Sequence, residues 1–203
     1  MKYIIVFLSA YLIGSSNLAY YITRFKGLNI RDKGTGNLGA SNATILLGWG
    51  AGVAVALHDI GKAALAVILA RMFFPHTAHI GAVAGVASVL GHIFPFYLKF
   101  KGGKGFASYV GMVLALNWKF GLILICLIAV VALLSDYIVA GTFTTIGLSP
   151  VVLGVLARSW ILPAILLVAS AVILYKHREN IANLRNGTEF RIRSAIKGEH
   201  RIN

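Results

Sequence analysis

Three polar stretches carry the residues whose types and spacing suit chemistry. The first runs from Arg31 to Asn42 and lies between two long apolar runs. Gly34, Gly36 and Gly39 open backbone conformations closed to other residues. Such a backbone can turn successive N–H groups inward as an anion-binding nest. Thr35, Asn37, Ser41 and Asn42 add side-chain donors, and Arg31 and Lys33 add charge. A helix starting near Ser41 or Asn42, both good N-caps, would aim its positive dipole end at the same spot. Two readings stand: a phosphate cradle at a membrane surface, or a flexible basic loop that meets lipid headgroups.

The second stretch is Gly91 to Gly105, ending in Gly102-Gly103-Lys104-Gly105 before another apolar run. Backbone donors with a lysine among them, placed at a helix start, repeat the logic of the first stretch. It is not a Walker A loop, because Gly105 follows Lys104 where that pattern needs Ser or Thr. A glycine turn flanked by lipid-facing lysines is the plainer reading. The third stretch, Lys176 to Glu189, starts where the last apolar run ends. On a continuing helix His177 and Asn180 share a face and would reach one ligand together. An amphipathic interfacial helix is the alternative. Asp59 and Lys62, beside His58, sit inside a long apolar segment, where charge is expensive. They read either as a neutralised pair pinning two helices or as a wall of the anion pocket, with Lys62 facing phosphate.

Other chemistries are missing. The chain has no Gly-x-Ser-x-Gly elbow, no His-Glu-x-x-His and no clustered cysteines or carboxylates for a metal. None of its six histidines has an aspartate five positions on, so the histidine–aspartate box of soluble-type glycerolipid acyltransferases is absent as well.

The elements that must position these residues are membrane helices. Of 203 residues, 58% are hydrophobic and 12% charged, and mean hydropathy is +0.81. Soluble domains carry about 25% charge. The net charge of +13 would suit nucleic acid, but it is confined to short connectors, as membrane topology requires. The fold expected is all-α: a single polytopic domain over residues 1–203, ending in a basic tail at 191–203. Seven apolar segments can be drawn, at 3–22, 43–74, 78–98, 104–117, 119–135, 137–157 and 159–176. The second is too long for one straight span, and His58 to Lys62 interrupts it. The first reads as a retained span rather than a cleaved leader. Lys and Arg divide fourteen to four between the two sides, with Lys62 inside a span. The rich side is then cytoplasmic, the N-terminus outside and the C-terminus inside. Cys126 lies in an apolar run and excludes an intramolecular disulfide.

Taken together, Gly14-Ser15-Ser16-Asn17, Arg31 to Asn42, His58 to Lys62, Gly91 to Gly105 and His177 to Glu189 resemble, in order, the bacterial acyl-phosphate:glycerol-3-phosphate acyltransferases, the PlsY family. The resemblance implies a small multi-span enzyme of the bacterial cytoplasmic membrane, its active site facing the cytoplasm. Such an enzyme moves a fatty acyl group from acyl phosphate to the 1-hydroxyl of glycerol 3-phosphate, giving lysophosphatidic acid, without cofactor or metal. The family's first motif falls on Thr35, Gly36, Asn37, Gly39, Ser41 and Asn42, with Arg31 beside it. The second falls on Gly102, Gly103, Lys104 and Gly105, and the third on His177, Glu179 and Asn180. Lys104, His177 and Asn180 are the expected catalytic residues, and the rest, with Lys62, the expected substrate-binding ones. A transporter of a phosphorylated or organic anion is the rival reading. It would account for the buried charge and for glycine loops at helix starts.

Overall fold

The computed structural model describes residues 1–196 and is all-α. Lys197, Arg201 and the end of the basic tail lie outside the described residues. The chain falls into two compact units, Met1–Leu116 and Asn117–Asn203.

The first unit holds α1 (Lys2–Ser15), α2 (Leu18–Phe25), α3 (Ala40–Leu47), α4 (Trp49–Phe73), α5 (Ile80–Ile93) and α6 (Phe106–Leu116). Short 3-10 turns lie at Ile30–Asp32 and Phe96–Leu98. Asn17 ends the break between α1 and α2, its Oδ1 accepting from the Tyr20 N–H at 2.8 Å, a side-chain N-cap. α5 packs against α1 and α4, and α4 against α6. Small residues make these approaches possible: Gly91 of α5 sits on the Tyr11 carbonyl, and Gly111 of α6 on that of Ile60. Where lipid competes equally for apolar surface, close backbone approach is a main source of helix association.

The second unit holds α7 (Trp118–Ser135), α8 (Ile138–Leu156), α9 (Ile161–Lys176), α10 (Arg178–Arg185) and α11 (Ile192–Ile196). α8 packs between α7 and α9. Leu122, Ile123, Val130, Leu133 and Leu134 of α7 are all exposed, as is Cys126. Such a face is untenable in water and ordinary in a bilayer.

All seven apolar segments contain helix. Five helical stretches among the described residues are long and apolar enough to cross: Lys2–Phe25, Trp49–Phe73, Ile80–Leu98, Trp118–Ser135 and Ile138–Leu156. A sixth counts if α9 and α10, bent by 51°, form one span. α6 has 11 residues, about 16 Å of helix, half the hydrocarbon thickness. The 43–74 segment is broken, though not at His58 to Lys62, which runs unbroken through α4. The break is Gly48, at φ +88 and ψ 172, a conformation that only glycine adopts readily.

Candidate active site

Residues 29–39 form a loop seated on an apolar plug. Ile30 and Leu38 are 1% and 2% exposed and pack with Ala19, Ala43, Val55 and Leu98. Asn42 organises the loop. Its side chain is fully buried, its Oδ1 accepts from the Thr35 N–H at 2.9 Å, and its Nδ2 donates to the carbonyls of Ile30 (3.0 Å) and Lys33 (3.2 Å). This overturns the expectation that Ser41 or Asn42 caps the helix. α3 starts at Ala40 with Gly39 as its N-cap, because the Asn42 amide reaches back across the loop rather than to its own helix. Gly34 and Gly36 take positive φ, +61 and +66. The loop uses several of its own donors: Thr35 N–H on Asn42, Gly36 N–H on the Lys33 carbonyl, and Asn37 N–H on Thr35 Oγ1. Thr35 and Ser41 are exposed, and Asn37 and Gly39 half-buried.

Arg31 ties this loop to the second one. Its Nη2 donates to the carbonyls of Leu98 (3.0 Å) and Lys101 (2.5 Å), which makes the guanidinium a staple. The second loop turns sharply at Lys99 and Phe100, both at positive φ (+54 and +58). Two successive non-glycine residues there are strained and need support from their surroundings. That support comes from the end of α5: Gly102 N–H donates to the Ile93 carbonyl at 2.9 Å and Gly103 N–H to that of His92 at 3.2 Å. A Cβ on Gly103 would lie inside the His92 ring and 3.0 Å from the Leu38 carbonyl. The two glycine loops are therefore in direct contact within the first unit. Lys104 is half-buried between Gly103 and Gly105, the latter at φ +92, immediately before α6.

Lys62 does not line an open pocket, contrary to the reading that has it facing phosphate. It is 6% exposed, and its Nζ lies 2.6 Å from the Ser16 carbonyl, 2.7 Å from Asp59 Oδ1 and 2.9 Å from His92 Nδ1. His58 Nε2 meets Ser16 Oγ at 3.0 Å.

In the second unit, His177 stands at the corner between α9 and α10, so the expected continuous helix is bent there. The ring is 6% exposed, and Phe143 meets it edge-on at 6.2 Å. His177 Nδ1 lies 2.8 Å from the Ile173 carbonyl. A carbonyl only accepts, so Nδ1 carries the proton and a neutral ring keeps its lone pair at Nε2. Asn180 Nδ2 donates to Glu189 Oε1 at 2.6 Å, across the turn made by Gly187 at φ +71. Glu179, the carboxylate singled out by sequence, is exposed in the first turn of α10. Glu189, the partner of Asn180, was given no role by the sequence. The signal for it was a second carboxylate just beyond a glycine turn.

The class is thus a helical membrane protein whose polar groups are concentrated in backbone loops and helix ends, an arrangement fitted to phosphorylated ligands. The family model described as Glycerol-3-phosphate acyltransferase matches residues 4–187. The Glycerol-3-phosphate acyltransferase of Pelagibacter ubique is 37% identical over 190 residues, covering 93% of this chain and 97% of that protein. The Thermus thermophilus protein of the same name is 38% identical over 192 residues, covering 94% and 95%. A solved structure described as PlsY, an integral membrane glycerol 3-phosphate acyltransferase in its glycerol 3-phosphate form, is 32% identical with a TM-score of 0.89, covering 96% of this chain and 98% of that one. A second, described as the lysophosphatidic acid form, has a TM-score of 0.85. The chain belongs to the glycerol-3-phosphate acyltransferase family, as its ordered motifs imply.

Proposed function

We propose that this chain acylates glycerol 3-phosphate at its 1-hydroxyl, with a fatty acyl phosphate as donor, in the bacterial cytoplasmic membrane. The observation that carries the reading is the match over residues 4–187, which takes in all three polar motifs. The same range runs through the first compact unit and into the second as far as residue 187, which supports treating the chain as one acyltransferase domain. The Lys and Arg distribution supports an external N-terminus and a cytoplasmic C-terminus and active site.

The reaction asks little of acid–base groups. The glycerol oxygen attacks the acyl carbon, the bond from that carbon to the phosphate oxygen breaks, and the hydroxyl proton leaves with phosphate as hydrogen phosphate. No acyl-enzyme forms. The protein's work is to hold two phosphorylated substrates in line and to offset charge developing on the carbonyl oxygen. Lys104 supplies the cation for that charge. His177, protonated at Nδ1, presents at Nε2 the lone pair that takes the proton in transit, and Asn180, oriented by Glu189, donates to phosphate. Thr35, Gly36, Asn37, Gly39 and Ser41 bind phosphate, with Gly102, Gly103 and Gly105 shaping the loop around Lys104. Arg31 and Asn42 hold the loops in shape.

Purified protein in detergent, given palmitoyl phosphate and glycerol 3-phosphate, should release phosphate and lysophosphatidate in equal amounts. Palmitoyl-CoA should not replace the donor. Glycerol 3-phosphate uptake into sealed vesicles with no acylated product would overturn the reading.

A further inference from the structure

The polar groups buried beside α4 have no part in the reaction as described, yet they converge on one point. Lys62 Nζ meets Ser16 O and His92 Nδ1 within hydrogen-bond distance, at 2.6 and 2.9 Å, and pairs ionically with Asp59 Oδ1 at 2.7 Å. An ammonium has three protons and no lone pair, so it can only donate to the ring. His92 Nδ1 is then an acceptor, although Asp59 Oδ1 also lies 3.3 Å from it. The shorter distance decides the tautomer, and the neutral ring carries its proton on Nε2. That Nε2 fills the space a Gly103 side chain would need, and the His92 carbonyl accepts from Gly103 N–H. His92 therefore holds the second loop by both ring and backbone. The Ser16 carbonyl lies at the break between α1 and α2. The next residue, Asn17, donates from Nδ2 to the Leu38 carbonyl of the first loop at 3.1 Å.

We propose that Lys62 is a positioning residue for the acyl transfer: its ammonium, through Asp59, His92 and the Ser16 carbonyl, sets the register of the Gly102–Gly103 turn, and hence Lys104, against the first loop. This rests on the acyltransferase reading. A pair that merely neutralised charge inside a span would be satisfied by removing both charges together. A positioning network would not, since His92 would lose the donor that fixes its ring. Misplacement of about 1 Å costs as much as ~10²-fold in rate.

The test is the paired variant Asp59→Asn/Lys62→Met, isosteric and without either charge. Expected is a folded protein whose kcat/KM falls about 10²-fold, with His92→Asn in the wild-type background retaining more activity than His92→Gln, because only asparagine puts an acceptor near the Nδ1 position that Lys62 meets. Wild-type kcat/KM in the paired variant would overturn the proposal. Should that variant fail to fold, nitrogen NMR of ring-labelled wild-type protein decides: His92 protonated at Nε2 supports the network, and protonation at Nδ1 overturns it. Inactive wild-type protein would strike the acyltransferase reading and with it the catalytic purpose of the network, whereas a failed tautomer measurement in active protein would strike the network alone.

Discussion

Replacing Asn42 by aspartate keeps the shape of the side chain and reverses its hydrogen bonding. The Oδ1 that accepts from Thr35 N–H survives, but the Nδ2 donor to the Ile30 and Lys33 carbonyls becomes a second acceptor. Two backbone carbonyls then face a carboxylate with no proton between them. Each buried group left unsatisfied costs about 1–3 kcal/mol. The Ile30 bond is fully buried and the Lys33 bond partly so. A sum of about 2–4 kcal/mol follows, before any cost of burying the charge. This falls on the loop, because the helices do not depend on it. Affinity falls by the fraction of molecules whose loop is closed. The KM for glycerol 3-phosphate should therefore rise by roughly 30-fold or more, at about 1.4 kcal/mol per tenfold. Hydrogen exchange at residues 30–38 should speed up while the exchange of α4 and α5 stays as in the wild type. An Asn42→Asp enzyme with wild-type KM and unchanged exchange would refute the account of how the loop is held.

Four further outcomes follow from the same geometry. Gly103→Ala should lower activity by about 10²-fold or more, because the added Cβ falls inside the His92 ring and the turn must shift; kcat/KM checks it. Glu189→Ala removes a hydrogen bond from Asn180 to a charged partner, worth about 1.5–3 kcal/mol, so a 10- to 100-fold loss in kcat/KM is expected, with Glu189→Gln recovering much of it through its remaining oxygen. Glu179→Gln, at an exposed site, should leave kcat/KM unchanged. With Cys126 replaced by alanine, single cysteines at Thr35 and Glu179 should both be labelled from the cytoplasmic side in oriented vesicles, and labelling from opposite sides would dismantle the proposed topology.

The helical class and the location of the glycine loops could be read directly from sequence, because each has a local cause. Apolar runs broken by short basic connectors have few soluble alternatives, and Gly34, Gly36 and Gly105 do take the positive φ for which glycine is suited. What was not legible depends on partners distant in the chain. Nothing near Lys62 announces that one acceptor is His92, 30 residues on, or that Ser16 supplies another, 46 residues back. Without those partners, His58 to Lys62 looks like an interruption. With them it is ordinary helix, and the break moves to Gly48, a single glycine among several. Asn42 misled for a related reason: its type suits an N-cap, but the buried carbonyls of Ile30 and Lys33 compete for the same amide and win.

The hydrogen bonds of three expected substrate-binding residues bear on how the enzyme works. Arg31, Asn42 and Lys62 each donate to backbone carbonyls, with Lys62 also meeting Asp59 and His92. Irregular backbone at membrane depth is tolerated only when its polar groups are satisfied from within. In the two glycine loops the carbonyls of Ile30, Lys33, Leu98 and Lys101 find their donors in the side chains of Asn42 and Arg31. Cationic and amide side chains supply the missing donors and so convert flexible loops into fixed ones. In a transfer whose donor brings its own phosphate leaving group, fixed placement is most of what the protein contributes. Residues that hold the loops should then rank with those proposed to hold phosphate: Asn42→Asp and the Asp59→Asn/Lys62→Met pair should cost as much activity as removal of a single proposed phosphate donor, Thr35→Val. Scaffold variants with wild-type turnover beside an inactive Thr35→Val would place the catalytic power in the contacts and not in their support.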